Sequence, residues 1–143
     1  MIKFNNISKT YSKQTVLDVE SLEIKPGQAF GLVGNNGAGK TTLFSTLLDL
    51  IKPSTGQVLN NDINVRTSED WKSFTSAFLD ESFLIGYLMP EEYFYFVGEL
   101  RNFSKKQVDD FLTDFEDLFN NEILGGKKYI RDLSKGNQKK VCI

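Results

Sequence analysis

Residues 34–42 read Gly34-Asn35-Asn36-Gly37-Ala38-Gly39-Lys40-Thr41-Thr42, a glycine, four residues, then Gly-Lys-Thr. Each residue type in this run can do part of the work of holding a polyphosphate. The glycines at 34, 37 and 39 permit backbone conformations that a Cβ blocks, so several N–H groups can turn inward together. A helix starting at Lys40 adds its positive dipole end, which favours the charge of a β-phosphate. The Lys40 ammonium would reach the β- and γ-phosphates, and it is the residue of the run expected to act catalytically. The Thr41 hydroxyl is a hard oxygen suited to Mg2+, an ion that normally keeps several waters. Thr42 is expected to hydrogen-bond the α-phosphate. Asn35, Asn36, Gly37, Ala38, Gly39, Lys40, Thr41 and Thr42 are thus the expected nucleotide contacts of the loop.

A glycine-rich turn beside a surface lysine is the plainer reading of the same residues, and the flanks argue against it. Ala29-Phe30-Gly31-Leu32-Val33 is a short apolar run, as a buried parallel strand requires. After the loop, Leu43, Phe44, Leu47, Leu48 and Ile51 recur at helical spacing. This helix is expected to run to about Ile51 and to stop before Pro53, since the residue before proline disfavours helix. Strand, glycine-rich turn and helix start, in that order, form a phosphate pocket.

The remaining elements can be read from pattern. Ile2, Phe4 and Ile7 begin a strand alternation that continues toward Tyr11, and Val16 to Ile24 predicts a second strand antiparallel to it. Pro26-Gly27 is a turn leading into the 29–33 strand. Asn60-Asn61-Asp62 between Gly56–Leu59 and Ile63–Val65 predicts a hairpin, because Asn and Asp tolerate left-handed backbone. A short helix over Ser68–Lys72, capped by Ser68, and a strand over Phe74–Leu79 should follow. From Pro90 to Asn121 the chain reads as helical. Pro90 suits a first helical position, and Tyr93, Phe94, Phe96, Val97, Leu100 and Phe103 give a wide apolar stripe. Ser104-Lys105-Lys106-Gln107 is a capping-box pattern. Beyond it Val108, Phe111, Leu112, Phe115, Leu118 and Phe119 fall on one face. The acidic run from Asp109 to Asp117 falls on the other, as a solvated face and not a metal site.

Composition narrows the functions available. The chain has 143 residues and 40% hydrophobic content, enough for a core. Its net charge of −2 offers no electrostatic footprint for nucleic acid. One cysteine, Cys142, excludes an internal disulfide and fits a reducing compartment. With no histidine in the chain, histidine acid–base chemistry and histidine metal ligation are impossible within it. No stretch approaches the twenty apolar residues of a membrane span, and the N-terminal residues lack a signal-peptide core.

A second motif lies at Leu133-Ser134-Lys135-Gly136-Asn137-Gln138. Ser134 is a helix N-cap candidate and Gly136 allows close backbone approach, so an anion could sit here. Taken alone, an ordinary capped helix is the better explanation of these residues. Together with the phosphate loop, the stretch resembles the signature of the ATP-binding cassette (ABC) ATPases, commonly Leu-Ser-Gly-Gly-Gln and about a hundred residues after the loop. Lys135 replaces the first glycine here, and Asn137 precedes Gln138. Tyr11 stands where the family has an aromatic that stacks on adenine, although it also reads as a strand-end tyrosine.

The resemblance covers essentially the whole chain. It implies an α/β fold of the P-loop NTPase type, with an incomplete core sheet, an antiparallel β part and an α-helical subdomain. The expected divisions are an ATP-binding core over 1–82, a helical subdomain over 83–134 and the start of the post-signature helix over 135–143. It further implies ATP and Mg2+ as ligands, held by Tyr11 and the loop, with Ser134, Gly136 and Gln138 contacting the ATP of a second such domain. A transmembrane permease subunit is the other implied partner, which would place the chain in the cytoplasm at the inner face of the membrane. Nucleic acid is not expected.

Two departures shape the expectation. Phe78-Leu79-Asp80-Glu81 stands where the family has a glutamine that touches Mg2+, making Asp80 the closest counterpart and a metal-ligand candidate beside Thr41. The family also continues past the signature with an apolar strand ending Asp-Glu and a later histidine, which these residues do not include. The chain is therefore expected to be an N-terminal portion of an ABC transporter ATPase that binds Mg-ATP but hydrolyses it poorly. Two other readings stay open: a non-catalytic nucleotide-binding regulatory module, and a soluble ABC protein not involved in transport.

Overall fold

Alternating residues build the first sheet. In the computed structural model, which describes residues 1–142, β1 (Ile2–Tyr11) and β2 (Gln14–Ile24) pair antiparallel, with Tyr11 opposite Gln14. Ile143, the last residue of the predicted post-signature segment, lies outside the described residues. The turn between these strands holds Ser12 and Lys13 at φ 43° and 74°, the twist that two-residue hairpins prefer. β3 (Thr55–Asn60) pairs with the other edge of β1, and β4 (Ile63–Asn64) closes a hairpin onto β3, giving the order β2-β1-β3-β4. Asn61 and Asp62 form its turn at φ 49° and 61°, as their side chains lead one to expect.

One face of this sheet is buried by α1 (Lys40–Leu47). Phe4, Ile7, Leu17 and Val58 pack with Leu43 and Leu47 of the helix, and with Val65 and Trp71. The buried Trp71 indole donates to the Val65 carbonyl at 3.1 Å. These elements belong to a first compact unit, Met1–Ala77; a second unit begins at Phe78.

Four expectations are corrected. The helix after the loop ends at Leu47, not Ile51, because Asp49 adopts the left-handed conformation (φ 53°). Leu50 N–H then bonds the Ser45 carbonyl and Asp49 N–H the Thr46 carbonyl, a closure that satisfies the helix end before Pro53 is reached. Residues 29–33 form no strand: Val33 is 95% exposed and Phe30 lies at the surface. A parallel strand exists only through ladder bonds to neighbours, and among the described residues nothing pairs with it. Likewise, the strand expected over Phe74–Leu79 does not form, and the short helix expected over Ser68–Lys72 is a 3-10 turn over Asp70–Phe74, with Ser68 Oγ accepting the Asp70 N–H.

The second unit is helical, with α2 (Pro90–Leu100), α3 (Lys105–Thr113), α4 (Glu116–Phe119) and α5 (Lys135–Val141). Pro90 occupies the first turn of α2, and the capping box at Ser104 is formed, with Ser104 N–H donating to Gln107 Oε1 at 2.9 Å. Gly98 lets α2 meet α3, since a Cβ there would lie 2.4 Å from Val108 Cγ2. Val108, Leu112, Phe119, Ile123, Ile130 and Val141 form the core, with Phe119 stacked against Phe94. The predicted faces are covered only in part. The helix breaks between Thr113 and Glu116, and Phe96, Leu100, Phe103 and Phe111 are exposed. Periodicity identifies an apolar face without saying what buries it.

Candidate nucleotide site

Gly39 is the hinge on which the loop turns into α1. It caps the helix at φ 85°, and a Cβ there would stand 2.4 Å from the Val16 carbonyl oxygen. Val16 is the bulged residue of the β1–β2 ladder: the register passes from Lys9–Leu17 to Thr10–Thr15 and leaves Val16 unpaired across the strand. Only a glycine fits where this bulged backbone meets the helix start. No side chain caps α1, so its first-turn N–H groups have no side-chain acceptor.

Lys40 Nζ folds back along the loop, donating to the Gly34 carbonyl and, at 2.7 Å, to that of Asn35. Ala38 N–H closes a turn onto the same Asn35 carbonyl at 3.1 Å. Asn35, Asn36, Gly37, Ala38 and the Thr41 hydroxyl are exposed, while Thr42 is half-buried. An uncapped helix N-terminus, a left-handed glycine and an ammonium held by carbonyls form a donor set matched to an anion with several oxygens. The residues present therefore fit a phosphate chain, with Thr41 as the hard oxygen beside it for a hydrated Mg2+.

Tyr11 belongs to the same end of the molecule. Its register partner Gln14 is two residues along β2 from Val16, whose carbonyl faces Gly39. Tyr11 is 47% exposed, and the Lys9 ammonium lies 4.6 Å from its ring centroid. Lys9 was not singled out from the sequence. The period-two alternation of the strand, which puts residues 9 and 11 on one face, was the available signal.

The second motif is organised differently. Ser134 caps α5 with its hydroxyl accepting the Asn137 N–H at 3.2 Å, and Ser134 and Gly136 are exposed. Gln138 is buried; its Nε2 donates to the carbonyls of Ile130, Arg131 and Leu133 at 3.1, 3.3 and 3.2 Å. The turn it grips is fixed from the other side, where Ile130 and Arg131 N–H groups bond the Leu88 and Gly86 carbonyls. Gln138 thus faces the backbone beneath Ser134. Asp80, also in the second unit, is exposed and accepts the Ser82 N–H at 2.7 Å; hydrogen bonds from Ser82 hold its carboxyl below the ordinary range. Thr41 and Asp80 fall in different units, and among the described residues no three Asp, Glu or Cys side chains gather as a metal site.

The ABC transporter family model matches residues 17–143, which includes the loop, the helical unit and the second motif. The chain belongs to the ABC transporter family. An ABC transporter ATP-binding protein of Methanocaldococcus jannaschii, MJ1023, is 34% identical over 143 residues, covering 98% of this chain and 49% of the relative. The hemin import ATP-binding protein HmuV of Pseudomonas aeruginosa is 30% identical, covering 99% of the chain and 56% of the relative. The chain thus spans about half the length of these curated relatives. Among solved structures, the dimeric post-hydrolysis state of the ATP-binding cassette MJ0796, bound to ADP and Pi, matches with a TM-score of 0.79. It is 21% identical, and the match covers 99% of this chain and 67% of that one. The ABC cassette fold expected from the sequence is the one found. Among the described residues no helix is long and apolar enough to cross a membrane.

Proposed function

We propose that this chain is the nucleotide-binding portion of an ABC transporter ATPase, holding Mg-ATP to drive transport by membrane partners. The uncapped start of α1 behind Gly39, with Lys40 folded along the loop, is the observation that carries the reading. In this reading Asn35 to Thr42 surround the phosphates, Lys40 stabilises charge at the transferring group, and Tyr11 stacks on adenine. Thr41 would hold Mg2+. Mg2+, when bound, supplies charge neutralisation at the β- and γ-oxygens.

Ser134 and Gly136 would meet the ATP of a second copy, so the working unit is a dimer seated on a transmembrane permease at the cytoplasmic face of the membrane. The dimeric, ADP- and Pi-bound state of MJ0796 and the hemin import role of HmuV support this assembly by family membership. Gln138, with its amide committed to three carbonyls, would serve the same site by shaping the turn that presents Ser134.

The 143 residues alone are proposed to bind ATP and turn it over poorly. Phosphoryl transfer depends on positioning and charge stabilisation, and these residues include no Asp-Glu pair after the signature to orient the attacking water. Calorimetry with Mg-ATP, paired with a phosphate-release assay, tests both halves. Saturable binding that Lys40→Ala weakens about 10- to 100-fold is expected, with release close to that of the Lys40→Ala protein. Absence of binding would remove the proposal; release well above the Lys40→Ala control would remove its second half.

A further inference from the structure

The exposed tyrosine at the sheet end has one ring face already occupied by a cation. Lys9 Nζ lies 4.6 Å from the Tyr11 centroid, inside the roughly 6 Å range in which an ammonium is attracted to a ring face. The same ammonium donates to the Lys52 carbonyl at 2.7 Å, so it is held between the ring and the segment following α1. That segment is itself pinned to β1: Ser54 N–H bonds the Ser8 carbonyl at 2.7 Å, and Thr10 N–H bonds Ser54 Oγ at 3.0 Å. The Lys9 cation is thus fixed at both ends. With the cation in place, Tyr11 as a whole is still 47% exposed, so the residue remains accessible to a flat ligand.

We propose that Lys9 is a positioning residue that presets the Tyr11 ring for a purine, and that it contributes to preference for ATP over a bare polyphosphate. The proposal rests on reading Tyr11 as the adenine platform. A free surface tyrosine loses side-chain freedom when a base stacks on it; a ring already held by a tethered cation has less to lose. The phosphate loop does not touch this contact, so the effect is confined to the base end of the nucleotide.

The test measures binding of ATP and of inorganic tripolyphosphate, each with Mg2+, to the full chain and its variants by calorimetry. Lys9→Ala should weaken ATP about two- to five-fold, the equivalent of one exposed cation–π contact, and leave tripolyphosphate unchanged. Lys9→Met, which keeps the stem and loses the charge, should behave like Lys9→Ala. Lys9→Arg, whose guanidinium also stacks, should restore ATP binding. Unchanged or tighter ATP binding in Lys9→Ala and Lys9→Met would overturn the proposal, the tighter result meaning that lysine and purine compete for one face. An equal loss for both ligands would overturn it too, because that is a structural effect. Tyr11→Ala separates the two levels. If it lowers the ATP-to-tripolyphosphate ratio and the Lys9 variants do not, only Lys9's role fails; if Tyr11→Ala leaves the ratio unchanged, the platform reading falls and takes Lys9 with it.

Discussion

The chain carries two glycine-bearing motifs at two helix starts, and they meet the same electrostatic problem in opposite ways. At α1 a left-handed glycine occupies the cap and no side chain reaches the first-turn N–H groups. At α5 Ser134 satisfies the Asn137 N–H, and the Gln138 amide is committed to the backbone below. The first start keeps its donors for a ligand; the second uses its cap within its own structure and exposes Ser134, Lys135 and Gly136. A helix terminus becomes a binding site through what is left unsatisfied around it, so the glycine pattern alone does not decide the matter.

Breaking this contrast begins where the loop meets α1. Of the substitutions at the two helix starts, Gly39→Ala should be the most disruptive, because it combines a left-handed backbone with a Cβ 2.4 Å from the Val16 carbonyl. A loss of about 2–4 kcal/mol is expected from the summed backbone and overpacking costs, read as a lowered denaturation midpoint in urea. Lys40→Ala comes next. It should leave the urea midpoint nearly unchanged and weaken Mg-ATP about 10- to 100-fold in titration calorimetry, the worth of one charged hydrogen-bonding group.

Gly98→Ala sharpens the contrast from the second unit. The new Cβ would lie 2.4 Å from Val108 Cγ2, so a destabilisation of about 1–3 kcal/mol is expected in thermal or chemical unfolding. ATP affinity should not change, because this packing lies among α2 and α3 and outside the loop. The smallest effect belongs to Ser134→Ala. Removing that cap should cost about 1 kcal/mol of stability, again measured by denaturation, and leave ATP affinity of the single chain as it was.

Local chemistry was legible in the sequence wherever a residue's own backbone preference decides the outcome. Asn61 and Asp62 made the hairpin turn, Ser104 and Gln107 made the capping box, and Pro90 started α2. The loop was legible because its glycines and Lys40 act within nine residues of one another. What could not be read depends on partners distant in sequence. Residues 29–33 carry a strand's composition, yet a strand is made by its neighbours, and here the run is unpaired. The early end of α1 came from Asp49 entering left-handed backbone, a choice open to aspartate but not required of it. The Val16 bulge against Gly39, the Lys9 cation over Tyr11 and the burial of Gln138 are all tertiary facts. Each needed the fold before its role in the site could be seen.

The most direct test of the difference between the two helix starts is an amide-resolved NMR titration of the chain with Mg-ATP, below concentrations at which it self-associates. Shift changes should centre on residues 34–42 and on Tyr11, with residues 134–138 unmoved. Perturbation centred on 134–138, with the loop from Gly34 to Thr42 silent, would contradict the account.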